Sequence, residues 1–170
     1  METAWVLDTL AVTVCDIDFR DPALAGRPDA RERGVRVEVR PVRTSYAGSV
    51  YASPTHVLQP ALCRIDLLES APGAVDRMHW HPQMDGGEPG ERTFDPAIGA
   101  DPVGWLRDRL ADPAALLTNA GVDLEPHAED LAALRALAVE VGARVEQGLA
   151  RARQPWPEVS HDERGLAPVP

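Results

Sequence analysis

The chain has 170 residues, of which 44% are hydrophobic, and its 27 acidic and 17 basic side chains give a formal charge of −10. That length supports one domain with a real core and no need for a disulfide or metal staple, while the charge argues against nucleic acid and anionic lipid as partners. Every basic residue is arginine, which excludes lysine Schiff-base chemistry, pyridoxal phosphate attachment and a P-loop.

In chain order, "AWVLDTLAVTVCDIDF" (4–19) reads as one central strand, rich in β-branched residues and apolar on both faces. Residues 21–34 are a polar loop, inside a run of arginines from Arg27 to Arg43 that has no interleaved aromatics for base stacking. "VRVEVRPV" (35–42) alternates, with Val35, Val37 and Val39 inward and Arg36, Glu38 and Arg40 outward. "SVYASPTHVL" (49–58) is a strand broken at Ser53-Pro54. Cys15 and Cys63 lie in apolar strand-like runs without C-x-x-C spacing and read as core residues.

The strongest hairpin signal joins residues 61–69 to 75–83 through "APGA". With Pro72-Gly73 as the turn, facing residues have numbers that sum to 145. His79 then faces Asp66, His81 faces Arg64, and Arg77 faces Leu68. Cys63, Ile65, Leu67, Met78 and Trp80 share the apolar face, and Arg64, Asp66, Arg77, His79 and His81 the polar one. "ERTFD" (91–95) is a short strand. Asp101-Pro102 and Asp112-Pro113 each start a helix, as an N-cap followed by proline at the first helical position. Residues 125–153 read as one long helix whose stripe includes Leu131, Leu134, Val141, Val145 and Leu149. That stripe serves either the domain core or a homodimer interface. The expected class is therefore α+β: an antiparallel sheet or partly open barrel over residues 1–95, then helices over 101–153, with 154–170 a proline-rich tail. An acidic amino-terminal start and the lack of a long apolar run point to a cytoplasmic protein.

The chemistry concentrates in "HWH" (79–81), because residues i and i+2 of a strand point the same way and offer two imidazoles to one ion. His56, Asp66 or Glu88 would complete a set suited to a divalent metal, iron, manganese or zinc, with positions open for water or substrate. Asp66 beside His79 or His81 could also act without metal, as an acid–base pair. Arg64 and Arg77 on the same face would hold a carboxylate of a small-molecule substrate. His127 and His161 read as surface residues.

Gly73, five residues, His79-Trp80-His81 and the downstream Glu88 resemble the first half of the cupin signature; its second motif has no counterpart. The resemblance implies a β-barrel cradle holding a divalent metal that activates water, oxygen or an enolisable substrate, with Glu88 in the ligand set. The expected function is that of a small metal-dependent enzyme of the isomerase, lyase, hydrolase or dioxygenase type. The competing expectation, from the net charge, is a non-catalytic acidic protein that binds a basic partner.

Overall fold

A computed structural model describes residues 1–24, 26–27, 30–48, 51 and 53–167. Strands β1 (Glu2–Val6), β2 (Leu10–Arg20), β3 (Arg31–Ser45), β4 (Thr55–Leu58), β5 (Cys63–Glu69) and β6 (His79–His81) form one antiparallel sheet. Its order is β1-β2-β3-β5-β6, with β4 pairing the far end of β3, and it does not close into a barrel. A two-stranded ribbon, β7 (Met84–Asp85) and β8 (Glu88–Pro89), follows. Helices α1 (Pro96–Ala100), α2 (Pro102–Ala111), α3 (Pro113–Asn119), α4 (Asp130–Ala136) and α5 (Ala138–Ala152) complete the chain order. The class is α+β, and the sheet is the open form of the two expected.

The helices cover one face of the sheet. Val12, Val14, Val35, Val37, Cys63, Ile65, Leu67 and Trp80 point into this layer and meet Ile98, Leu106, Leu117, Leu134, Val141 and Val145. α5 crosses close to the sheet because Gly148 has no side chain: a Cβ there would collide with Val35. Arg144 of α5, itself buried, donates from Nε to Thr3 Oγ1 at 3.1 Å and from a terminal nitrogen to the Met1 carbonyl and to Asp16 Oδ1, both at 3.1 Å. Burial pushes the Asp16 carboxyl upward, but Arg151 and Arg144 outweigh it and hold the group below its ordinary range.

The structure departs from the sequence expectation in five places. Residues 4–19 are two strands, because the chain reverses at Leu7–Thr9, where the Leu7 N–H donates to the Leu10 carbonyl at 2.8 Å and Asp130 gathers the turn's amides. The strand expected at 75–83 is hydrogen-bonded only over His79–His81. Before it, Gly73 and Val75 both adopt positive φ, 78° and 53°, and after it Pro82 supplies no N–H for a ladder. Residues 91–95 contribute a single bridge, Thr93 to Trp80, instead of a strand. The long helix is interrupted at Leu137, which lets α4 pack on α2 and α3 while α5 lies on β2, β3 and α2. Of the strand expected over 49–58, residues 49, 50 and 52 lie outside the described set, and β4 occupies only its end.

The stripe itself belongs to the core: Leu134, Val141 and Val145 are fully buried within the one chain, and Leu131 packs at the margin. Leu134→Asp is accordingly expected to cost about 3 kcal/mol or more, through an unpaired charge in an apolar layer. Urea denaturation measures this, and an unchanged midpoint would mean that Leu134 faces solvent. No helix among the described residues is long and apolar enough to cross a membrane.

Candidate metal centre

The sheet face away from the helices carries a charged patch bordered by the apolar Phe19 and Leu68. The registers of β2, β3, β5 and β6 align two rows across it, Cys15–Arg36–Asp66–His79 and Thr13–Glu38–Arg64–His81. The β5–β6 register is the one expected from the Pro-Gly turn: His79 pairs with Asp66, Trp80 with Ile65, and His81 with Arg64. Trp80 consequently lies in the core, while both histidines lie on the charged face. Those charges neutralise one another along the rows. Arg36 donates from Nε to Asp66 Oδ1 at 2.6 Å, Arg64 from Nε to Glu38 Oε1 at 2.8 Å, and Arg40 pairs with the other Glu38 oxygen.

Asp66, His79 and His81 form a compact group that could hold a metal ion, with one ligand atom from each and all of these atoms within 4.8 Å of one another. All three residues are about 95% shielded from solvent, at 3%, 5% and 4% exposure. His79 Nδ1 lies 2.8 Å from the Arg77 carbonyl and His81 Nδ1 2.8 Å from the Gly90 carbonyl. A carbonyl can only accept, so both Nδ1 atoms donate and the neutral rings carry their lone pairs on Nε2. Those Nε2 atoms point at Asp66 Oδ2, at 3.6 and 3.9 Å, which is beyond hydrogen-bond distance. Burial, partly countered by the Arg77 carbonyl and Asp66, lowers the basicity of His79 and favours its neutral ring.

Three acceptors therefore converge on one point, each oriented from behind: two imidazoles by backbone carbonyls and one carboxylate by a guanidinium. Such outer partners are what fix ligand orientation in metal sites. The metal-free acid–base arrangement fits less well, since neither Nε2 is hydrogen-bonded to the carboxylate. Around the group is a pocket of about 230 Å³. Its walls include Arg64, Arg92 and Glu32, with Pro89 from β8 and Arg164 and Leu166 from the tail.

The other expected site residues are placed differently. His56 sits on β4, opposite Thr44, whose hydroxyl it meets at 3.0 Å, and is exposed. Glu88 is exposed in the β7–β8 ribbon. Neither belongs to the cluster, because β4 extends from the far end of β3 and the ribbon turns its acid outward while Pro89 faces the pocket. Arg64 lines the pocket, whereas Arg77 precedes β6 with its Nε 3.7 Å from Glu32 and 3.8 Å from Asp76. His127 and His161 are more than surface residues: one meets Thr9 Oγ1 at 2.8 Å and the other meets Asp18 at 3.2 Å.

Sequence reasoning missed Arg36, Arg92 and Phe94. Arg36 was visible as an outward residue of an alternating strand, but only the β3–β5 register brings it to Asp66. Arg92 and Phe94 arrive through the Thr93–Trp80 bridge, with the Phe94 ring 5.6 Å from that of His79. Cys63, buried and pushed up to about 12 by that burial, carries no nucleophilic role. No protein-family model, no curated protein and no solved structure matches this chain.

Proposed function

We propose that the protein is a small metal-dependent enzyme in which Asp66, His79 and His81 hold one divalent ion, iron, manganese or zinc, and that its substrate is a small carboxylate-bearing molecule. The observation that carries this reading is the convergence of three lone-pair donors on one point, with both histidine tautomers committed by backbone carbonyls. A divalent cation satisfies all three at once; a proton satisfies one pair. Two histidines and one carboxylate form the donor set of sites that leave coordination positions open. When bound, such an ion supplies Lewis acidity and a more acidic water, which serves isomerase, lyase, hydrolase or dioxygenase chemistry alike. The chain's own part is to orient Asp66 through Arg36, to shield the ligands from bulk water, and to present arginines to an anion. The His-x-His strand is the portion of the cupin resemblance on which the proposal draws.

Calorimetric titration of zinc(II), manganese(II) and, anaerobically, iron(II) into tag-free protein tests the reading. One ion per chain is expected for at least one of the three. Loss of an outer partner alone costs about 10–100-fold in metal affinity, so His79→Ala or His81→Ala, which removes a ligand, is expected to weaken binding by about 100-fold or more. Equal affinity in wild type and both variants, or no uptake by wild type, would overturn the proposal.

A further inference from the structure

The pocket's arginines are not equivalent. Arg36 is committed to Asp66, Arg64 to Glu38, and Arg164 to Asp162 at 3.1 Å. Arg92 lines the same pocket, is exposed, and makes no hydrogen bond or close ion pair with any described residue, its charge acting only at longer range on Glu32 and His79. Its position follows from the bridge in which Thr93 N–H donates to the Trp80 carbonyl at 2.8 Å and Trp80 N–H to the Thr93 carbonyl at 3.1 Å. Residues flanking an antiparallel bridge share the opposite face, so Arg92 comes beside His81 and Phe94 beside His79. Phe94 is 65% exposed, although its ring lies against that of a ligand histidine. A large exposed aromatic and an uncommitted guanidinium therefore flank the two histidines from one two-residue step of backbone.

From this juxtaposition we infer that Arg92 and Phe94 recognise the substrate, an aromatic or similarly planar carboxylate whose anionic group pairs with Arg92 and whose flat body lies on Phe94. The inference rests on the metal reading above and moves the anion-binding role from Arg64 and Arg77 to Arg92. A guanidinium fork matches a carboxylate bidentately, and an exposed ring gains contact area when a planar ligand stacks on it. In a chain of charge −10 the pocket lining sets Arg36, Arg64, Arg92 and Arg164 against only Glu32 and Asp66, which favours entry of an anion over a neutral molecule.

Cobalt(II)-loaded protein tests this, because the visible absorption of bound cobalt reports ligands that enter its surroundings while cobalt uptake itself reports the metal site. Benzoate, acetate and benzyl alcohol are the probes. Benzoate is expected to bind more tightly than acetate, and benzyl alcohol not to bind. Arg92→Leu should weaken benzoate and acetate alike by about tenfold or more, as the loss of a charge-assisted hydrogen bond implies. Phe94→Ala should reduce benzoate to the affinity of acetate and leave acetate unchanged. Both variants should take up cobalt as wild type does. Normal uptake with benzoate affinity unaltered in Arg92→Leu, or with benzyl alcohol binding as well as benzoate, would overturn this inference alone. No cobalt uptake by wild type would overturn the metal proposal and this one with it.

Discussion

Trp80→Ala is expected to lower the free energy of unfolding by about 3–5 kcal/mol, the range for large aromatic truncations in cores, without removing a single ligand atom from the metal centre. Trp80 is 7% exposed and meets Trp105 edge to face at 5.5 Å. The Arg109 guanidinium lies 5.6 Å from the Trp80 ring and 4.8 Å from that of Trp105. Asp95 completes the cluster by accepting from Trp105 Nε1 at 2.9 Å and capping α1 through the Ala97 N–H at 2.9 Å. Truncation thus removes the plate on which β6 rests against α2. Thermal unfolding with and without saturating zinc separates the two roles of this strand. The variant's midpoint should fall in the absence of metal yet still rise when metal is added, since anything that binds only the folded state stabilises it. His79→Ala should do the reverse. A Trp80→Ala protein as stable as wild type would show that the two faces of "HWH" are not divided between packing and ligation.

Asp130→Ala should be comparably damaging. Asp130 Oδ2 accepts from the N–H groups of Thr9 and Leu10 at 2.7 and 2.9 Å and from the Thr9 hydroxyl at 2.8 Å, while Oδ1 takes the Asp8 N–H at 3.3 Å. A fully buried donor deprived of its acceptor costs about 1–3 kcal/mol, and here the Leu10 N–H is buried while the Thr9 and Asp8 donors are part-buried, so a total of about 3–5 kcal/mol is expected. Burial pushes the Asp130 carboxyl upward, but the hydrogen bonds from Thr9, Asp8 and Leu10 prevail and hold it below its ordinary value. A carboxylate depressed in the folded state contributes stability that is fully present above its unfolded value, about 3.9, and is lost as the pH falls through the folded value. Urea midpoints measured from pH 7 downward should therefore show wild type and Asp130→Asn converging below about pH 4. A gap that stays constant into acid would mean that the charge does not contribute.

What could be read from the sequence was what the chain settles locally. The β5–β6 register matches the one that alternation and the Pro-Gly pair predict, although residues 70–78 form a longer connection than a two-residue turn, so Asp66 opposite His79 and Trp80 in the core were legible in the residues alone. The Asp-Pro helix starts were too, because the cap and the capped amide are three residues apart: Asp101 accepts from Gly104 and Asp112 from Ala115. Illegible features depend on partners distant in sequence. The reversal at Leu7–Thr9 carries no glycine or proline and is held by an aspartate about 120 residues on. Arg36 reaches Asp66 only once β3 and β5 pair across the intervening β4 arm. Arg92 and Phe94 owe their place to a single bridge, which leaves no periodic trace. Glu88 and His56 had the right chemistry, but spacing alone says nothing of where a ribbon or an edge strand turns its side chains.

The clasp between Arg144 and the start of the chain has a kinetic consequence. Its bonds to Met1, Thr3 and Asp16 span 143, 141 and 128 residues, and among the described residues β1 pairs with β2 alone. β2 is also held by β3 along its length, so it is the five-residue edge strand β1 that stays weakly held until α5 has been synthesised and docks. Long-range closure of this kind slows folding. Refolding from urea should take milliseconds to seconds instead of the microseconds of a helical bundle, and Arg144→Leu should mainly hasten unfolding if the clasp forms after the rate-limiting barrier.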